Sequence, residues 1–122
     1  MLNAIREAAE AIARSAGAIL LDYAARADLG VETKDTAINI VTAADKAAEA
    51  HIVRAILAAY PDHHVHGEEG GGQGGPREAA PFRWFIDPLD GTVNFAHGYP
   101  VYAVNLSVVD AAGEPIVGVT YD

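Results

Sequence analysis

The sequence contains no cysteine, which excludes disulfides and thiolate metal ligands and permits a reducing compartment. Cations are scarce: 8 Lys and Arg stand against 17 Asp and Glu, for a formal net charge of −9. Such a chain is a poor partner for nucleic-acid phosphate or an anionic membrane. An anionic ligand would need local cationic compensation, and a bound metal ion is the obvious source. No apolar run approaches the roughly 20 residues of a membrane span. The start, "MLNAIREAAE", carries early carboxylates and no basic segment, so no signal peptide is expected. What is present suits a folded domain: 122 residues, 51% of them hydrophobic and 20% charged.

No internal repeat is evident. Leu2, Ile5, Ala9, Ile12, Ala16, Ile19, Leu20 and Tyr23 recur at helical spacing and predict an amphipathic helix to about Arg26. "ADLGVETKDTAINIV" reads as a looser stretch. Thr42 as an N-cap and Pro61 as a stop predict a second helix over residues 43–60. "HHVHGEE" suits a short strand ending in acid, and "GGGQGGPREAAP" a surface loop without the Lys and Ser/Thr of a P-loop. "FRWFID" is a compact strand, and "VYAVNLSVVD" and "EPIVGVTYD" form a hairpin across "AAG". Helices followed by strands give an α+β fold, with two N-terminal helices packed on a mainly antiparallel sheet. The sequence stops at Tyr121-Asp122 within a strand pattern, so either a fragment or a chain needing a partner is expected, with self-association through the open edge.

The stretch "FIDPLDGTVNF" carries the chemistry. Pro88 fixes its own φ and drives Asp87 towards an extended conformation. A turn near Leu89 and Asp90, with Gly91 free to take unusual angles, would converge two carboxylates on one point. Hard divalent cations such as Mg²⁺ take oxygen ligands of this kind, including a backbone carbonyl such as that of Leu89. Gly91, Thr92 and Val93 would then open a short helix whose free N–H groups suit phosphate. Taken alone, "DPLDG" reads more readily as a β-turn, because Asp, Pro and Gly are the usual turn formers. Nearby acids add weight: Glu68 and Glu69 in "GEE" and Asp45 in "TAAD". Asp45, three residues after Thr42, also fits the N3 position of a capping box.

"WFIDPLDGTVNFAHGYP" resembles the first signature of the inositol monophosphatase family, and "IVTAADKAAE" and "PDHHVHGEEG" resemble two preceding family segments in the right order. The resemblance runs over essentially the whole chain. It implies the N-terminal part of the layered α/β/α/β/α sugar-phosphatase fold, with residues 1–122 as a metal- and phosphate-binding part and the C-terminal half absent. By resemblance, Glu68, Asp87 and the Leu89 carbonyl hold a first Mg²⁺, and Asp87 and Asp90 a second. Asp90 also meets substrate hydroxyls. The Gly91 and Thr92 amides cradle phosphate, Asp45 and the Thr92 hydroxyl orient the attacking water, and Lys34 assists a further metal or the phosphate. Two or three Mg²⁺ ions, sensitivity to Li⁺, a homodimer and a cytoplasmic location are implied for the complete enzyme.

The implied reaction is hydrolysis of a small phosphorylated polyol or sugar, inositol monophosphate first. Fructose 1,6-bisphosphate, histidinol phosphate and nucleotide 3′-phosphates are alternatives within related families. The second half would supply a further ligand in a "W-D-x-A-A-G" segment. A non-catalytic metal- or phosphosugar-binding module and an inert remnant are the other two readings. Glu69 is expected in solvent, and His97 at a structural or rim position. His63, His64 and His66 suggest zinc only superficially, because strand alternation points His63 away from the other two. His66 stands where the family more usually has an aliphatic residue. Trp84, Phe85 and Phe95 are expected in the core.

Overall fold

The computed structural model describes residues 2–28, 34–67, 71–96 and 102–122, and for 26–28, 34–42, Gly71, Val93 and Ala96 the backbone alone. Helices α1 (Leu2–Asp28) and α2 (Lys34–Ala59) precede strands β1 (His64–Gly67), β2 (Gly71–Gly74) and β3 (Phe82–Asp90). The short helix α3 (Thr92–Ala96) follows, then β4 (Ala103–Asp110) and β5 (Pro115–Tyr121). The five strands form one sheet in the order β2-β1-β3-β4-β5. Among the described residues, only the β1–β3 pair is parallel. The expected α+β class and mainly antiparallel sheet are what the chain adopts.

Helix α1 buries Ile5, Ala9, Ile12, Ala13, Ala16 and Leu20, a stripe of one face dominated by small residues. Leu2, counted in that stripe from the sequence, is instead 53% exposed, because it lies in the first turn beyond the packed layer. Helix α2 answers with Ala44, Ala48, Ile52 and Ile56, so the two helices approach closely through alanines. Helix α1 packs on β4 and β5, and α2 on β1 and β3. The Tyr121 ring lies directly on Gly17, where an added Cβ would meet Cε2 at 2.6 Å.

Four expectations need correction. Helix α2 begins at Lys34, not near residue 43, so "KDTAINIV" is helical. No Gly or Pro interrupts residues 34–59, and nothing in that span stops a helix once its second half is packed. Thr42 therefore lies inside α2 and is not its N-cap, and Asp45 is not part of a capping box. Gly71–Gly74, read as loop, pairs with β1 as a short antiparallel edge strand. Phe85 is 36% exposed rather than core, because the strand period turns it away from the helices.

The remaining aromatic residues fall as expected: Trp84 and Phe95 are buried. The helix-facing side of the sheet carries Val65, Trp84, Ile86, Val104, Leu106 and Val108. The opposite side carries His66, Phe85, Asp87, Asn105, Ser107 and Thr120, where exposure is higher. Among the described residues, two polar ones belong to the core layer, Glu49 and His63. The hairpin between β4 and β5 turns at Gly113, with φ of 87° and its N–H bonded to the Asp110 carbonyl.

Candidate active site

The site grows from the end of β3. Strand β1 pairs with β3 only as far as Phe85, and β4 pairs in regular register only to Asp87. Between Asp87 and Asp90 the register shifts. Pro88 stands in that interruption, and a residue with no N–H to give is tolerated there at little cost. The bulge buries both Pro88 and Leu89, while Asp87 and Asp90 keep access to solvent. The turn expected near Leu89 is thus displaced. The strand runs on to Asp90, and Gly91, with φ of 93°, makes the corner. Helix α3 opens at once with Thr92, as expected, and its first closing bond is from Phe95 N–H to the Gly91 carbonyl at 3.0 Å.

Asp87 is half-buried, and its carboxyl pKa is raised above the ordinary 3.8. Burial is the main cause and the nearby negative charge of Asp90 the second, with a hydrogen bond from the Leu89 backbone opposing them. Two carboxylates are therefore close enough to repel. Asp90 Oδ2 accepts a hydrogen bond from Asn105 Nδ2 at 3.2 Å, and Asn105 Oδ1 accepts one from the Thr120 hydroxyl at 2.7 Å. Beside them lies an open cleft of about 330 Å³ bordered by Phe85, Asp87, Asn105, Ser107 and Thr120.

Helix α2 brings a second pair of acids. Asp45 is half-buried, with Oδ1 sequestered from solvent, and Glu49 one turn later is only 6% exposed. Glu49 lies against Gly67, where an added Cβ would meet its Oε1 at 2.8 Å. Gly67 directly precedes Glu68. Helix α3, which carries Thr92, packs against α2, which carries Asp45. Thr92 itself is exposed. Lys34 is the first residue of α2 rather than part of a loop, and its side chain lies outside the description. Glu68, Glu69 and His97 lie outside the described residues.

Among the described residues, no group of three or more His, Cys, Asp or Glu converges as a metal site. The donors at hand nevertheless suit a hard cation. Asp87 and Asp90 offer carboxylate oxygens whose mutual repulsion a cation between them would reverse, with no sulfur or imidazole among them. The histidines are divided as strand alternation requires. His63 is buried beneath Trp84, while His64 Nδ1 lies 2.9 Å from the Gly75 carbonyl and His66 tilts against Phe85. Ser15 and His51 approach at 2.6 Å between α1 and α2, but this is no nucleophile–base pair. The Ser15 hydroxyl already donates to the Ile12 carbonyl, so it accepts from the imidazole.

Asn105, Thr120 and Glu49 were not singled out from the sequence. Asn105 and Ser107 leave a trace there, as polar residues alternating with Val104, Leu106 and Val108.

The profile of the inositol monophosphatase family matches residues 1–122, and the chain belongs to that family of Mg²⁺-dependent phosphomonoesterases. It is 49% identical over 96 residues to the Nus factor SuhB of Pseudomonas aeruginosa, covering 78% of this chain and 35% of that protein. It is 47% identical over 83 residues to the fructose-1,6-bisphosphatase/inositol-1-monophosphatase of Aquifex aeolicus, covering 68% of this chain and 30% of that one. The inositol monophosphatase structure from Anabaena superposes with a TM-score of 0.79 at 37% identity, over 99% of this chain and 40% of the other. The chain thus spans well under half the length of these relatives. No helix among the described residues is long and apolar enough to cross a membrane.

Proposed function

We propose that this chain supplies the N-terminal metal- and phosphate-binding part of a Mg²⁺-dependent phosphatase acting on a small phosphorylated polyol, inositol monophosphate first. The observation that supports this best is the bulged end of β3, where Asp87 and Asp90 are drawn together immediately before a helix start. Glu68, Asp87 and the Leu89 carbonyl would hold one ion, and Asp87 with Asp90 another. Held there, Mg²⁺ would supply charge neutralisation of the phosphate, acidification of a water and stabilisation of the leaving alkoxide.

The protein's own groups do the rest. The Gly91 and Thr92 amides bind phosphate oxygens, and Asp90 accepts a hydrogen bond from a substrate hydroxyl. Asp45 and the Thr92 hydroxyl orient the attacking water, and Asp45 takes up its proton. Lys34 adds positive charge near the phosphate. A ligand from the part of the relatives that this chain does not span would complete the second ion's shell, and without it the metal should be held weakly.

The test is phosphate release from inositol 1-phosphate, fructose 1,6-bisphosphate, histidinol phosphate and adenosine 3′-phosphate. It is run with and without Mg²⁺, on the 122-residue chain and on the full product of its gene. Mg²⁺-dependent turnover of inositol 1-phosphate above the others, lowered about 10²-fold in kcat by Asp45→Asn or Thr92→Ala, is expected of the active form. Mg²⁺ binding with no turnover of any ester by either protein would favour a non-catalytic binding module.

A further inference from the structure

Asp90 poses a physical problem. It is exposed, it sits at the end of a strand, and the charge of Asp87 repels it. Left to itself, such a side chain swings into water and away from its neighbour. Asn105 opposes this. In register, Asn105 is the cross-strand partner of Asp87 on one side and of Thr120 on the other. Its amide nevertheless reaches past Asp87 to Asp90 Oδ2 at 3.2 Å, because the bulge returns Asp90 towards β4.

The direction of the amide is fixed by the carboxylate, and its other end is anchored on Thr120. An ionised carboxylate only accepts, so Asn105 must offer it Nδ2. Its Oδ1 is then turned towards β5, where the Thr120 hydroxyl donates at 2.7 Å. Rotating the amide by half a turn would set Oδ1 against the carboxylate and lose the bond to Asp90, while the Thr120 hydroxyl could still pair with the amide by accepting from Nδ2. Three strands are thus tied in one line, Thr120 to Asn105 to Asp90.

We propose that Asn105, anchored by Thr120, is a positioning residue that holds Asp90 beside Asp87 and so sets the affinity of the acidic pair for a divalent cation. The inference rests on the reading of Asp87 and Asp90 as metal donors. Outer partners of metal-binding carboxylates are commonly worth about 10–100-fold in affinity. Asn105 has no charge to give, so it keeps Asp90 in place without neutralising it.

The test is Mn²⁺ affinity, read from the free-ion EPR signal, with thermal unfolding to confirm that each variant is folded. Asn105→Ala should raise Kd for Mn²⁺ about 10-fold, the lower end of that range. Thr120→Val, which keeps the shape and removes the donor, should weaken binding in the same direction, and Thr120→Ser should restore it. In an Asp90→Asn background, Asn105→Ala should change nothing further. An Asn105→Ala protein that is folded and binds Mn²⁺ as the wild type does, while Asp90→Asn weakens binding, overturns the positioning role and leaves the metal reading standing. Equal weakening by Asn105→Ala with and without Asp90 also overturns it. An Asp90→Asn protein with unchanged affinity overturns the metal role of Asp90 and this inference with it.

Discussion

The indole of Trp84 donates to Nδ1 of His63 at 3.0 Å, in the layer between α2 and the sheet. Trp offers only a donor, so the imidazole must accept at Nδ1 and is neutral with its proton on Nε2. Tyr60 stacks on the same ring at 4.5 Å between centroids, and Phe82 tilts against it at 5.1 Å. His63 is 4% exposed and is followed directly by β1, the strand that leads towards Glu68.

This arrangement predicts acid sensitivity. Burial lowers the His63 pKa below its ordinary 6.5, with the Asp62 charge opposing. The unfolded chain therefore takes up the proton first. Stability is complete above pH 6.5 and falls as pH drops from there towards the folded-state value, by at most about 1.4 kcal/mol per pH unit. Melting temperatures of the wild type and of His63→Phe across this range provide the check. The variant starts lower, because Trp84 loses its acceptor, but should lack this component of the slope. An identical slope in both proteins would assign it to other groups.

Asp87 titrates with the opposite sign. Its carboxyl pKa is raised by burial and by Asp90, so ionising it costs more in the folded, metal-free protein than in the unfolded chain. Its contribution to stability is present below the ordinary value of 3.8 and is lost as pH rises through the raised one. At neutral pH Asp87→Asn should therefore melt higher than the wild type when both are free of metal. Adding Mg²⁺ should raise the melting temperature of the wild type and leave the variant unmoved. A metal-free variant that melts lower would show that Asp87 is not strained in the folded state.

Glycines on the two edge strands separate two effects. Gly74, with φ of 88°, ends β2 where an added Cβ would collide with the His63 carbonyl. Gly118, in β5, has nothing within 4 Å of such a Cβ and no positive φ. Gly74→Ala should cost about 2 kcal/mol or more, through strain and backbone overlap. Gly118→Ala should be neutral, or stabilising by up to about 1 kcal/mol. Denaturant midpoints decide between them, and equal costs would contradict the placement of β2.

The sequence made most of the helices and long strands legible, because their burial follows the two simple periods. Ile5 to Leu20 in α1 and Val104 to Val108 in β4 are clear cases. It was silent where tertiary contacts override local pattern. The first turns of α2 carry β-branched and polar residues that read as loop, yet they continue a helix whose far half is anchored by Ala48, Ile52 and Ile56. The four residues of β2 have almost no side chains to signal a strand and are held by backbone pairing to β1. At the candidate site the residue types of Asp87, Asp90, Gly91 and Thr92 were readable, since the string itself carries them. The Asn105–Thr120 tie was not, because it depends on the register of three strands and on a bulge that no local spacing encodes.

The most direct test of the account is the dependence of phosphate release on Mg²⁺, measured with inositol 1-phosphate on the full gene product and on its Asp87→Asn variant. The account predicts a rate that rises with Mg²⁺ to saturation in the wild type and is lower by about 10²-fold or more in the variant at every Mg²⁺ concentration, as expected when a shared metal-holding carboxylate is lost. Hydrolysis that proceeds equally with and without Mg²⁺, or that survives Asp87→Asn, would contradict it.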